Sequence, residues 1–232
     1  LLERVKYISV AQENDKKVLY QLQATKAAYN DQKQDKETRQ TEAEKLSQEL
    51  ENFKNVQNYI FGEGSLASLE ELLRLKRNGP VVFLVDDFFE DKKVEEKLPI
   101  EKDDILIFVS AKEEPKAEYI DILTDKIEEE LKKVLPSVIV GMGGGTIMDI
   151  SKCVSILLTN PGKAEDYQGW DLVKNPGVYK IGIPTISGTG AESSRTGIFT
   201  SKKAKLGMNS DYSMFDQIIL DPELVKTVPK EQ

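Results

Sequence analysis

Residues 53–232 predict an α/β fold on a parallel sheet, and three observations carry that prediction. Short apolar runs, "VVFLVDD" (81–87), "DILIFVS" (104–110) and "SVIVG" (137–141), read as buried strands. Amphipathic segments stand between them, such as 118–136 with Ile120, Leu123, Ile127, Leu131 and Val134 at helical spacing. Gly-rich turns follow several of the strands. Short apolar strands alternating with amphipathic helices imply parallel pairing with right-handed crossovers.

The elements follow in order. Residues 1–61 contain neither Gly nor Pro. Leu1, Val5, Ile8, Leu19, Leu22, Tyr29, Ala43 and Leu50 fit one register of alternating four- and three-residue steps, so residues 1–52 are expected to form a long helix or coiled coil. The same register meets Gln12, Asp15, Lys26, Lys33, Lys36 and Gln40. Such a seam suits a solvated spacer, or a helix that docks on a partner or on a second copy of the chain. The texture changes at Phe53, where the α/β unit begins. "FKNVQNYIFGEGS" reads as a strand ending in a Gly-rich turn. Ser65 is expected to cap a helix with Leu66, Leu69, Leu72 and Leu73 on one face. Strand 81–86 is followed by a charged helix to about Leu98, and the helix after strand 104–110 is expected to carry Val134 on its apolar face and to stop before Pro136. A strand at 137–141, a helix at 146–158 and strands at 180–185 and 217–222 complete the unit. Tyr167, Trp170 and Tyr179 are expected to cover the sheet edge.

Composition excludes several functions. A net charge of −8 is wrong for tracking nucleic-acid phosphates. No apolar run approaches the roughly 18 residues of a membrane-spanning helix. Cys153 is the sole cysteine, so no intrachain disulfide can form, which fits a reducing, cytoplasmic setting. The chain has no histidine, and so lacks the commonest metal ligand and the commonest general base.

The stretch "VIVGMGGGTIMDISK" (138–152) sets four glycines between a strand and a helix. Glycines let main-chain amides approach an anion, and the helix beginning near Thr146 adds unpaired N–H groups and the positive end of its dipole. Gly141 and Gly143 fit the dinucleotide fingerprint, but Thr146 stands where its third glycine belongs. No Gly-Lys-Ser/Thr follows, which weighs against a P-loop kinase. "IPTISGTGAESS" (183–194) is a second loop of glycines and hydroxyls directly after a strand. Its Thr185, Ser187 and Thr189 can donate to phosphate or ribose oxygens. At the end of strand 81–86, "VDD" offers a carboxylate to a ribose hydroxyl. Each loop alone could be a plain turn; together they fit a nucleotide cleft.

"GMGGGTIMDISK", then "IPTISGTGAESS", then "KLGMNSDYSMFDQIILDPEL", in that order and spacing, resemble the iron-containing (group III) alcohol dehydrogenase family over about residues 53–232. Its members that oxidise 3-deoxy-manno-octulosonate at the C8 hydroxyl are the most similar by this resemblance. The resemblance implies a Rossmann-like domain with NAD or NADP in the cleft. Gly144, Gly145 and Thr146 would meet the pyrophosphate, with Asp149 one helical turn on. Asp87 would lie near the adenine ribose, Thr185 and Thr189 beside the phosphates and nicotinamide, Lys205 near the nicotinamide ribose, and Leu224 at the cofactor wall. Residues 1–34 also resemble the coiled-coil part of bacterial murein-hydrolase activators.

The family's chemistry also implies a divalent metal, iron or zinc, held by one Asp and three His on a following helical domain. Neither that Asp motif nor any histidine is present, and Asp211, Asp216 and Asp221 are not expected to replace them. The expectation is therefore a nucleotide-binding unit without dehydrogenase activity of its own. The contrasting expectation is an interaction protein, a coiled coil carrying a folded α/β module.

Overall fold

The computed structural model describes residues 58–226 and Val228. The helix expected over 1–52 and the strand start at 53–57 lie outside the described residues. In chain order the elements are β1 (Tyr59–Phe61), α1 (Ser68–Lys76), β2 (Val81–Asp86), β3 (Ile105–Val109), α2 (Ala117–Glu130), β4 (Val138–Gly143), α3 (Gly145–Leu157), β5 (Gly169–Trp170), β6 (Lys180–Pro184), β7 (Thr196–Thr200), β8 (Lys205–Asn209) and β9 (Gln217–Leu220). Six strands form one parallel sheet in the order β1-β9-β6-β4-β2-β3. This is a Rossmann-like arrangement, as the alternation of apolar strands and amphipathic helices predicts.

Both faces of the sheet are covered, so the central strands are apolar throughout. Val82, Leu84 and Ile139 join the core beneath α2 and α3. Val81, Phe83, Val85, Val138, Val140 and Met142 pack on the other face with Leu69 and Leu73 of α1. Helix α3 is buried nearly all round because the sheet, α2 and β7 enclose it. Its close seat depends on β4, whose positions facing α3 are Ile139, Gly141 and Gly143. A Cβ at Gly141 would lie 2.3 Å from Ser151 Oγ, and one at Gly143 would lie 2.4 Å from Ile147 Cγ1.

Four expectations need correction. Ser65 does not cap α1; its hydroxyl donates to the Leu220 carbonyl at 3.2 Å. No side chain caps α1, which follows a 3-10 turn at Ser65–Ala67; it is that turn which Asp221 holds, its carboxylate taking the Gly64 and Leu66 amides at 3.1 and 3.0 Å. The charged stretch after β2 is not one helix but two 3-10 segments, Asp87–Lys92 and Val94–Glu96. Its few apolar residues form no continuous stripe, and Lys93 takes a left-handed φ of 51° between the segments. Helix α2 ends at Glu130, before Pro136: Lys132 and Lys133 turn left-handed, the Lys133 amide reaches back to the Glu128 carbonyl, and Val134 is exposed. Lastly, β5, β8 and β7 form a second small sheet, with β7 and β8 antiparallel. Trp170 on this sheet is 72% exposed, so it does not cover the main sheet; Tyr167 and Tyr179 are packed.

Candidate functional site

The strand order locates the crevice. The crossover from β2 leads outward to β3, whereas that from β4 leads the opposite way to β6. Loops diverging from neighbouring strands leave a gap at their carboxyl ends, where ligands of open α/β sheets bind. Asp86–Asp87 ends β2 at this gap, and Gly143–Gly145 ends β4.

At the tip of β4, Gly144 occupies the N-cap of α3 with extended backbone (φ −78°, ψ −169°) and no side chain caps the helix. The first amides of a helix have no partner within it, so this end presents donors and positive potential. None of the glycines at 141 and 143–145 has a positive φ. Their identity is therefore a matter of space. Gly141 and Gly143 make room for α3 itself, while Gly144 and Gly145 face the second loop. A Cβ on Gly144 would lie 3.4 Å from Ile186 Cδ1, and one on Gly145 would lie 3.1 Å from Thr189 Oγ1.

Two grooves flank this ridge. The first, about 400 Å³, is lined by Asp87, Thr185 and Leu224 together with Phe88, Phe89 and Ile186. The second, about 480 Å³, is lined by Gly145, Thr146, Asp149, Thr189 and Lys205, with Ser194 and Thr196 beside them. Eight of the nine residues singled out in the sequence thus line a groove, and Gly144 stands between the two. Both volumes fall in the range of small-molecule sites. The neighbouring Asp86 also lines the first groove, nearly buried, and accepts the Phe88 amide at 3.0 Å. Thr185 is buried and its amide donates to the Gly143 carbonyl at 3.0 Å, which joins the two loops. Lys205 is exposed and pairs with Glu114 across the second groove.

Two charged residues of α3 behave unusually. Asp149 has its pKa raised to about 6, because burial outweighs the attraction of Lys152 and the Ile198 amide. The Lys152 side chain is 0% exposed. Burial lowers its pKa to about 8 despite Asp149 nearby. The two groups stand 3.8 Å apart, too far for a good hydrogen bond, which is why desolvation prevails for both. A lone Lys three residues after an Asp, in an otherwise apolar helix, was the sequence signal for this pair.

The donor set does not fit a His-rich metal centre. The chain has no histidine, and among the described residues no group of three or more Cys, Asp or Glu could hold a metal ion. The three aspartates near the end of the sheet have other partners. Asp216 accepts the Lys180 amide at 2.8 Å and pairs with its ammonium at 3.4 Å. Asp221 caps Gly64, Leu66 and Glu223, and Asp211 faces Arg195 at 3.4 Å.

Fold and crevice define the class: a Rossmann-like α/β unit with an open helix N-terminus at its topological switch point. Residues 56–222 match the profile of the iron-containing alcohol dehydrogenases, and the chain belongs to that family. It is 34% identical over 182 residues to the sulfoacetaldehyde reductase of Bilophila wadsworthia, covering 75% of this chain and 46% of that protein. It is 30% identical over 128 residues to the NAD-dependent methanol dehydrogenase of Bacillus methanolicus, covering 54% and 32% respectively. The crystal structure of sulfoacetaldehyde reductase from Bifidobacterium kashiwanohense in complex with NAD+ shares the fold, with a TM-score of 0.61 at 21% identity over 75% of this chain and 46% of that one. The chain spans less than half the length of these relatives. Among the described residues, no helix is long and apolar enough to cross a membrane.

Proposed function

We propose that this chain is the pyridine-nucleotide-binding unit of a metal-dependent alcohol dehydrogenase. The observation that carries the reading is the uncapped start of α3, set between two grooves that gather Asp87, Thr185 and Leu224 on one side and Gly145, Thr146, Asp149, Thr189 and Lys205 on the other. A relative named as NAD-dependent and a solved structure of the same fold holding NAD+ support the choice of NAD or NADP as ligand.

The residues divide the work. Amides of Gly145 and Thr146 donate to the diphosphate, and the helix dipole offsets its charge. Gly144 leaves that approach clear of any side chain. Asp87 accepts from hydroxyls of the adenine ribose, while Leu224 closes the wall of the same groove. Thr185 and Thr189 donate hydroxyls along the phosphates toward the nicotinamide, and Lys205 reaches the nicotinamide ribose. Asp149, one turn along α3, forms the floor of the second groove. The bound nucleotide supplies the hydride acceptor for a primary alcohol. Metal ligands must come from residues outside this chain's donor set, so this polypeptide alone binds nucleotide without turning over.

The alcohol is drawn from the family. The sequence resemblance supports a sugar acid such as 3-deoxy-manno-octulosonate, and the relatives are named for sulfoacetaldehyde and methanol. Titration of the purified chain with NADH, followed by fluorescence and by thermal shift, should show saturable binding. No change in either signal with NADH or NADPH would refute the reading. Mixing with a separately made helical metal domain of a family member and iron or zinc should give NADH from NAD+ and octulosonate or methanol, or consume NADH with sulfoacetaldehyde, only when both pieces are present.

A further inference from the structure

Lys152 makes three hydrogen bonds, and all go to one segment. Its ammonium donates to the Ala191 carbonyl at 2.5 Å, to Ser194 Oγ at 3.0 Å and to the Thr196 carbonyl at 2.9 Å. Ala191, Ser194 and Thr196 all line the second groove, whereas Lys152 itself does not. Its charge therefore sits behind the groove wall, fully buried, and ties α3 to the segment between β6 and β7. Nothing in packing alone requires a cation here: its apolar neighbour is the Phe215 ring at 5.7 Å, and an aliphatic side chain would fill the same space. An ammonium offers what such a chain cannot, three donors that fix three oxygens at set spacing.

We propose that Lys152 is a positioning residue: its buried ammonium clamps Ala191, Ser194 and Thr196 into the wall that receives the nicotinamide half of the nucleotide. This rests on the nucleotide reading above and deepens it, since none of the nine residues assigned to the cofactor includes Lys152.

Groups facing the ammonium decide when the clamp holds. They are Asp149 and Cys153 on α3, Glu192 on the 3-10 turn Ala191–Ser193, and Lys180 on β6. Burial keeps the Cys153 thiol protonated far above its usual range, so it adds no charge at working pH. Lys152 loses its proton near pH 8. The neutral amine has two hydrogens for three oxygens, and its lone pair opposes the third. Affinity for nucleotide should therefore fall above pH 8.

The test uses the full chain and NADH as probe. Lys152→Met should raise the Kd for NADH about tenfold while the chain remains folded by circular dichroism. In the variant, amides of 191–196 should exchange with deuterium faster in the absence of nucleotide, with the central sheet unchanged. The unaltered chain should bind NADH several-fold more weakly at pH 9 than at pH 7, and the variant should show no such step. Ser194→Ala removes one acceptor without touching the buried charge and should give a smaller loss in the same direction. Should Lys152→Met fail to fold, the pH series on the unaltered chain and Ser194→Ala still decide. A folded Lys152→Met variant with unchanged affinity and unchanged exchange at 191–196 overturns the clamp and leaves nucleotide binding standing. Absence of NADH binding by the unaltered chain at pH 7 overturns both.

Discussion

The two ends of the parallel sheet treat their charges in opposite ways. At the end where strands begin, Asp104 precedes β3 with its side chain 1% exposed. Its carboxylate takes the Arg77 guanidinium at 2.7 and 2.8 Å, the Val81 amide at 2.9 Å and the Glu101 amide at 2.8 Å. Every oxygen there is used by the protein itself. At the end where strands stop, α3 begins without a side-chain cap, and Asp149 and Lys152 stand apart in a poorly solvated setting. The first arrangement locks strands together. The second leaves main-chain donors and a shaped wall for something else to meet.

The comparison breaks most readily at the satisfied end. Asp104→Ala removes the main partner of the partly buried Arg77 guanidinium, which keeps Glu101 and the Pro99 carbonyl, and leaves two amides unpaired; it should lower stability by about 2–4 kcal/mol in urea unfolding, with NADH affinity of the folded chain unaltered. At the open end the order reverses. Gly145→Val places methyls where Thr189 and the anion must come close, and should weaken NADH binding at least tenfold, about 1.4 kcal/mol, with a smaller change in melting temperature. Asp221→Ala, which removes the shared acceptor of Gly64, Leu66 and Glu223, should cost about 1–2 kcal/mol, with a smaller loss of nucleotide affinity than Gly145→Val.

A pH comparison sharpens the contrast. Folded Asp149 keeps its proton up to about pH 6, while an unfolded aspartate releases it near 3.8. Between these values the folded state binds more protons, so stability falls as pH rises through the window and levels off above 6. Against Asp149→Asn, the native chain should lose about 1–3 kcal/mol across that interval, read from urea unfolding at pH 4, 5, 6 and 7. The smallest effect belongs to Lys205. Paired with Glu114 at the surface, it should leave stability unaltered when replaced by Ala, and reduce NADH affinity only a few-fold.

The parts legible in the sequence were those with a strong local pattern. "VVFLV" and "VIV" have the continuous apolar run of buried strands, and the glycines marked the turn: no other residue fits at 141 and 143 beside Ser151 and Ile147, while Gly144 and Gly145 face Ile186 and Thr189. What escaped was decided by distant partners. The cap at Gly64–Leu66 comes from Asp221, 155 residues beyond Leu66, so Ser65 drew the assignment as the nearest polar side chain. The β7–β8 hairpin was missed because "TGIFT" and "KLGMN" are half-covered: Phe199 and Met208 are buried, while Ile198 and Leu206 stay exposed. Without that hairpin the third side of α3 is absent, and no local pattern shows that Lys152 is buried. Eight of the nine residues that the loops and the family resemblance single out line a groove, because both point to strand ends; the residues behind the wall required the tertiary fold.

Amide chemical shifts on addition of NADH test the account most directly, because they read both ends of the sheet in one experiment. The amides of Gly144, Gly145 and Thr146 should move most, followed by those of 185–196, while Val81 and Glu101 beside Asp104 stay fixed. Saturable binding that leaves the Gly144–Thr146 amides unmoved would contradict the claim that the start of α3 grips the diphosphate.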